Sequence, residues 1–345
     1  MTVSLLALAI SSSLLAANPG PLPQGLRSSK VVLVVIDGVR PLELAGKARD
    51  DGGKLVAATS LFPNLLSLAG QGAFFPDARI SNPIGVSLPA YADIFAGRRQ
   101  EKIRGNHPPK EDLRSHYPTI FDVLKKSGLT DDELALHASW EPICALSGSE
   151  SFYKSCGWKE GLHKGRYLKP EVFEHSRSDM DTFLELAQEL PKRHQRFTFV
   201  HLVDADEEAH LEADAREKLG LEYGIFNYHK ALREDDYYVG RLWRLLQSDP
   251  YYRGTTTLLV TTDHGRCDFP DAKQWAGHGD CKYVHKAPEI CAGCRHVFLM
   301  AVGPGVRRGT FKTRYTHADL APTIASIFGV PMPTATGKPI PEIRK

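Results

Sequence analysis

The sequence has almost no net charge and no apolar run long enough to cross a bilayer. Its 345 residues hold 43 Lys and Arg against 41 Asp and Glu, a formal charge of +2. That balance excludes the strongly basic field of a nucleic-acid-binding surface and the acidic excess of a solvating tail. Internal repeats and low-complexity tracts are also missing. With 42% hydrophobic and 24% charged residues, the composition is that of an ordinary globular protein, not a disordered or fibrous one. The length suits one large domain or two small ones at ~100–200 residues each. A chain of this size buries most of its apolar surface and needs neither disulfide nor metal merely to fold.

The apolar stretch at the N-terminus, Leu5–Ala17, is followed by Asn18-Pro19-Gly20-Pro21. It is shorter than the ~20 residues of a spanning helix, so no stable membrane span is expected. It fits the apolar part of a secretory signal ending in small residues, although Met1–Ser4 carries no Lys or Arg. A buried N-terminal helix is the plain alternative. The expected organisation is a signal peptide over 1–17, a linker over 18–29 and a single domain over 30–345, with small inserts near 141–170 and 267–295. The expected location is secreted or periplasmic.

The cysteines agree with export. There are six: Cys144, Cys156, Cys267, Cys281, Cys291 and Cys294. In an oxidising compartment they can pair. Cys144 with Cys156 is expected from proximity, and the other four among themselves. A structural zinc site on those four is the rival reading, but Cys267 and Cys281 do not supply a second C-x-x-C.

Four short apolar runs stand out: Val31–Ile36, Phe197–Val203, Thr257–Thr262 and Val297–Val302. Runs apolar on both faces suit strands covered by helices on both sides. Helical patterns lie between them, over 119–126, 181–190 (stopping at Pro191), 225–247 and 317–328. The alternation predicts an α/β fold, a three-layer α/β/α sandwich with a mainly parallel central sheet.

Chemistry follows three of these runs at once: Asp37, then Asp204 and Asp206, then Asp263 and His264. Ligands bind at the carboxyl ends of strands in open α/β sheets. One Asp after a strand is usually a turn former; three on one edge are harder to explain that way. Asp206 and His210 are spaced to meet one ion from a single helical turn. His278 lies between glycines, where backbone can approach closely. Oxygen and nitrogen donors gathered there suit a divalent metal, zinc above all where His contributes. Ser87 precedes a helical stretch with Pro89 in its first turn. It is either a plain helix cap or a nucleophile beside free backbone N–H groups.

Together these segments resemble the alkaline phosphatase superfamily, in particular its nucleotide pyrophosphatase/phosphodiesterase branch. The matching strings are Val34-Val35-Ile36-Asp37-Gly38, Ser87-Leu88-Pro89, Asp206-x-x-x-His210, Thr262-Asp263-His264-Gly265 and His278-Gly279, in the family's order. The resemblance implies an alkaline phosphatase-like fold and a metal-dependent hydrolase of small-molecule phosphate esters. It implies two divalent ions, zinc first. Asp37, Asp263 and His264 would hold the ion that activates Ser87, itself a ligand; Asp206, His210 and His278 would hold the other, at the leaving oxygen. Two cations ~4 Å apart clamp both oxygens of an in-line displacement, and Ser87 would carry a phosphoseryl intermediate. Asp204 is expected to support Asp206 without ligating, and His317 to be structural.

The resemblance is incomplete. Phosphodiesterases of this branch commonly place Asn after the Pro of the nucleophile motif; here the residue is Ala90. Asn82, Arg266 and the backbone N–H of Leu88 are the candidates to bind substrate instead. Insert residues, among them Trp140, Tyr153, Trp158, His163, Lys164, Arg166 and Tyr167, could shape access. A sulfatase needs Cys or Ser followed by x-Pro-x-Arg, and Tyr91 stands where that Arg belongs. A phosphonate hydrolase remains an alternative on the same fold. A phosphomutase would normally carry a larger cap.

Overall fold

The computed structural model describes residues 28–107, 113–148, 151–157, 176–219, 224–267, 275–279 and 292–343. The expected signal peptide, most of the linker, Trp158, His163, Lys164, Arg166, Tyr167, Cys281 and Cys291 lie outside them.

Among the described residues, eight strands form one sheet: β1 (Lys30–Ile36), β2 (Ala73–Arg79), β3 (Leu134–Ala138), β4 (Tyr153–Cys156), β5 (Phe197–Leu202), β6 (Thr256–Thr262), β7 (His296–Val302) and β8 (Gly309–Thr310). Their spatial order is β4-β3-β5-β1-β6-β7-β2-β8. Of these described strands only β7 runs against its neighbours, pairing antiparallel with both β6 and β2. The sheet is therefore mainly parallel, as the apolar runs require.

The helices are α1 (Pro41–Leu44), α2 (Ala58–Leu61), α3 (Pro63–Ala69), α4 (Ser87–Ala96), α5 (Ile120–Lys126), α6 (Pro142–Leu146), α7 (Asp179–Arg193), α8 (Asp204–Leu219), α9 (Phe226–Ser248), α10 (Ala292–Arg295) and α11 (Leu320–Ile327). They cover both faces of the sheet. Strand side chains alternate between faces, so Val31, Leu33 and Val35 of β1 pack with Leu88, Phe95, Phe121 and Ile324 from α4, α5 and α11. Val32, Val34 and Ile36 pack instead with Leu65, Leu186, Leu232 and Leu242 from α3, α7 and α9. These are the three layers of an α/β/α sandwich.

The four expected strands form within a residue of their sequence bounds. Four others were not visible as apolar runs. β3 (LALHA) is interrupted by Ala and His, β4 (YKSC) is a polar edge strand, β2 contains Pro76 beside a register shift, and β8 has only two residues. One boundary needs correction: α7 passes through Pro191 and ends at Arg193. A proline in the last turn removes only one of the few remaining backbone bonds, and His194 closes the helix in a left-handed conformation.

Cys144 and Cys156 are bonded, joining α6 to β4. Cys267 is also disulfide-bonded. No described helix is long and apolar enough to cross a membrane.

Candidate active site and metal centre

Strand register decides where the chemistry sits. β1 pairs in parallel with β5 and β6, with Ile36 opposite Leu202 on one side and Thr262 on the other. The chain therefore leaves all three strands at one level, at Asp37, Val203 and Asp263. The turn after β1 must be glycine. Gly38 has φ +65°, and a Cβ there would collide with Asp206 Oδ1.

α8 begins at Asp204, directly after β5. One turn separates Asp206 from His210, and Asp206 Oδ2 lies 3.0 Å from His210 Nε2. His278 Nε2 is 3.1 Å from the same His210 nitrogen. The other nitrogen of His278 faces the carbonyl of Gly85 at 3.3 Å. Asp206, His210 and His278 thus form one group whose ligand atoms could meet a single ion.

Asp37, Asp206 and His264 form a second group. His264 Nδ1 faces the Gly265 carbonyl at 2.9 Å, so Nε2 is turned inward. It lies 3.4 Å from Asp37 Oδ1, 3.6 Å from Asp263 Oδ2 and 3.8 Å from Asp206 Oδ1. Asp206 is common to both groups. Ser87 Oγ stands 3.4 Å from His264 Nε2.

Ser87 does not cap its helix. The N-cap of α4 is Val86, with no side-chain cap bond, and Ser87 is the first helical residue. Its hydroxyl is turned to His264 and to Asn106, whose Nδ2 donates to it at 3.4 Å.

Several of these atoms are buried without a hydrogen-bond partner. Asp37 Oδ1 and Asp263 Oδ2 have none among the described residues. Desolvation of such atoms is costly. Burial, reinforced by the Asp206 charge, pushes the Asp37 carboxyl well above its usual range. Burial and the Asp37 charge do the same to Asp263. At Asp206 burial acts in the same direction, but Arg266, His210 and His278 outweigh it and hold the carboxyl well below its usual range. Burial, with His264 beside it, holds the His278 imidazole well below its usual range. Crowded carboxylates with unsatisfied oxygens beside imidazole nitrogens are the donor set that a divalent cation satisfies. The residues present fit that group.

No protein-family model matches this sequence, and no curated protein matches it. Solved structures do. A 2-O GAG sulfatase superposes with TM-score 0.64 at 13% identity, over 92% of this chain and 75% of its own. A phosphonate monoester hydrolase from Silicibacter pomeroyi gives 0.60 at 17%, over 91% and 76%. The alkaline phosphatase PafA gives 0.60 at 11%, over 92% and 99%. The chain has the alkaline phosphatase-like fold. One fold here carries three differently named activities, so the substrate has to be argued from the site itself.

Within the alkaline phosphatase-like fold, Asp37, Ser87, Asp206, His210, Asp263, His264 and His278 come together. Asp204 stays out of both groups, its backbone N–H donating to Asp179. His317 Nε2 faces the carbonyl of Thr262 at 3.0 Å and stands outside both groups.

The three substrate-binding candidates are all engaged inside the protein. Arg266 is buried, pairs with Asp206, and donates to the carbonyls of Gly38 and Ala276. Asn82 accepts from Ile84 and Gly85 N–H and donates to Asp93. The Leu88 N–H donates to Asn106 Oδ1 at 2.9 Å. The residue beside Ser87 that sequence reasoning missed is Asn106, in a loop with no periodic signal. Tyr91 and His201 were missed as neighbours of Asp37. An imidazole inside the otherwise apolar run FTFVHL was a usable clue.

Asn82 shapes the loop that leads to Ser87, and Asp93 holds Asn82. Burial pushes the Asp93 carboxyl up to about 7. Unfolded, the group loses its proton near the ordinary 3.8. Between those values the native state binds the extra proton. This contribution to stability is therefore full below about 4 and lost as pH rises through about 7. Urea midpoints measured from pH 4 to 8 are expected to fall in the wild type, and to lack that part of the fall in Asp93→Asn. Identical slopes would exclude Asp93 as the source.

Proposed function

We propose that the protein is a metal-dependent phosphoric ester hydrolase of the alkaline phosphatase superfamily, of the phosphodiesterase type. The observation that carries this reading is the meeting of an uncapped, inward-turned Ser87 with two ligand groups that share Asp206. When bound there, two divalent cations, zinc first, would lower the pKa of the serine hydroxyl and neutralise charge on the oxygens of an in-line displacement.

The chain's own residues supply the rest. Ser87 Oγ forms a bond to phosphorus as the opposite P–O ester bond breaks and the alcohol leaves with a proton. Water then cleaves the phosphoserine, returning the hydroxyl and releasing the phosphoryl product. Asn106 already donates to Ser87 Oγ, so its amide is placed to donate to a phosphoryl oxygen of the group that Ser87 attacks.

Two features favour a diester over a sulfate or a monoester. Tyr91 occupies the place of the Arg that sulfatase maturation requires. The buried Arg266 is spent on Asp206, and Asn106 is neutral, which suits a singly charged phosphoryl group better than a dianion. The Cys144–Cys156 bond fits export to an oxidising compartment, with residues 1–17 as the signal.

The test compares p-nitrophenyl phosphate, its bis-ester, p-nitrophenyl sulfate, a phosphonate monoester and a nucleotide pyrophosphate. The bis-ester or pyrophosphate is expected to be fastest. Chelation should abolish turnover, and added zinc should restore it. Turnover indifferent to chelator would exclude the two-metal reading, and a preferred sulfate or phosphonate would select one of the other chemistries.

A further inference from the structure

Asp37 is held by one oxygen and free at the other. Tyr91 OH donates to Asp37 Oδ2 at 3.1 Å, and His201 Nε2 lies 3.2 Å from the same atom. Asp37 Oδ1 has no hydrogen-bond partner among the described residues and faces His264 Nε2. All three side chains are buried: Tyr91 at 0%, His201 at 0% and Asp37 at 1% exposure.

The fold explains why they meet. Val31, Leu33 and Val35 point to the α4 layer, and Asp37 continues that side. Phe197 and Phe199 point to the same layer, so His201 does as well, and His201 is the register partner of Val35. Tyr91 comes from α4 itself, one turn after Ser87, on the face that carries the serine. Its ring packs edge-on against His201, with centroids 5.0 Å apart. A carboxylate oxygen accepts, so His201 must present a protonated Nε2. Its Nδ1, which has no hydrogen-bond partner among the described residues, is then the bare nitrogen.

We infer that Tyr91 and His201 are positioning residues that lock Asp37 as a one-oxygen ligand and tie that ligand to the helix carrying Ser87. Two donors on Oδ2 stop the carboxylate from turning, so Oδ1 alone is offered to an ion. The phenol makes Asp37 and Ser87 move as one unit. This inference rests on the two-metal reading above. It adds a specific asymmetry, because Asp37 belongs to only one of the two ligand groups.

The test reads metal affinity directly. Full-length protein stripped of metal is titrated with zinc against a chromophoric chelator, for wild type, Tyr91→Phe, His201→Leu and His201→Gln, with a melting curve of each stripped form to confirm folding. Tyr91→Phe and His201→Leu are each expected to weaken one of two zinc sites by about tenfold and to leave the other unchanged. His201→Gln, which returns an N–H donor near the position of Nε2, should recover most of that loss. In turnover, kcat should fall while KM changes little. Folded variants that bind both ions as the wild type does would overturn the inference, and so would equal weakening of both sites. Should His201→Leu not fold, Tyr91→Phe alone decides, since it removes a single hydroxyl. A wild type that binds fewer than two ions would instead overturn the two-metal reading on which this rests.

Discussion

Ser87→Ala is expected to lower kcat for phosphate esters by a factor on the order of 10³ or more, while zinc stoichiometry and unfolding midpoint stay close to wild type. The separation of effects follows from local structure. Ser87 is buried at the start of α4, but it is not the cap; Val86 is. Removing the hydroxyl therefore costs no capping bond, and alanine is a good helix former. What is lost is the one oxygen that faces both His264 and Asn106. Acid quenching of the wild type during turnover of a labelled diester should trap the label on the peptide containing Ser87, and none should be trapped on the variant. Equal rates for the two proteins on every ester would remove Ser87 from its assigned role.

Asp206→Ala is expected to be worse, because it damages stability and chemistry together. Asp206 is the residue common to both ligand groups, so its loss should empty both sites of zinc and abolish turnover. It is also the carboxylate paired with Arg266, whose side chain is 0% exposed. Stranding a buried guanidinium costs about 3–5 kcal/mol. The carbonyls of Gly38 and Ala276 would still accept from it, but they do not neutralise its charge. The double variant Asp206→Ala/Arg266→Met should regain much of the lost denaturant midpoint and none of the activity. Activity in either variant would contradict the shared-ligand geometry. A single variant as stable as wild type would contradict the account of Arg266.

The sequence revealed the parts of this site that depend on strand ends. An apolar run followed at once by Asp, three times over, marks where a strand ends and where the chemistry gathers, although Asp204, the residue at the start of α8, stays out of both ligand groups. Asp206 and His210 were legible for the same reason, since helical spacing is fixed by geometry. Arg266 was not. Read as a string it is a cation available to substrate, and only the folded chain shows it buried under Gly38 and paired with Asp206. Asn106 was invisible because a loop carries no period, and its approach to Ser87 depends on the path between residues 97 and 106. Strands β3 and β4 were missed because their composition is not that of a buried strand, although β3 pairs with β5 and β4 extends the sheet beyond β3.

Register carries a consequence for how such a centre can change over time. Asp37, Asp263 and the start of α8 share one level only because β5, β1 and β6 are in step. Lengthening any of these strands by one residue would throw its terminal group to the opposite face and dismantle the centre at a stroke. The connections at the far ends of the strands are under no such restraint. Lineages built on this plan should therefore accumulate insertions and deletions in those connections while the lengths of three strands stay frozen.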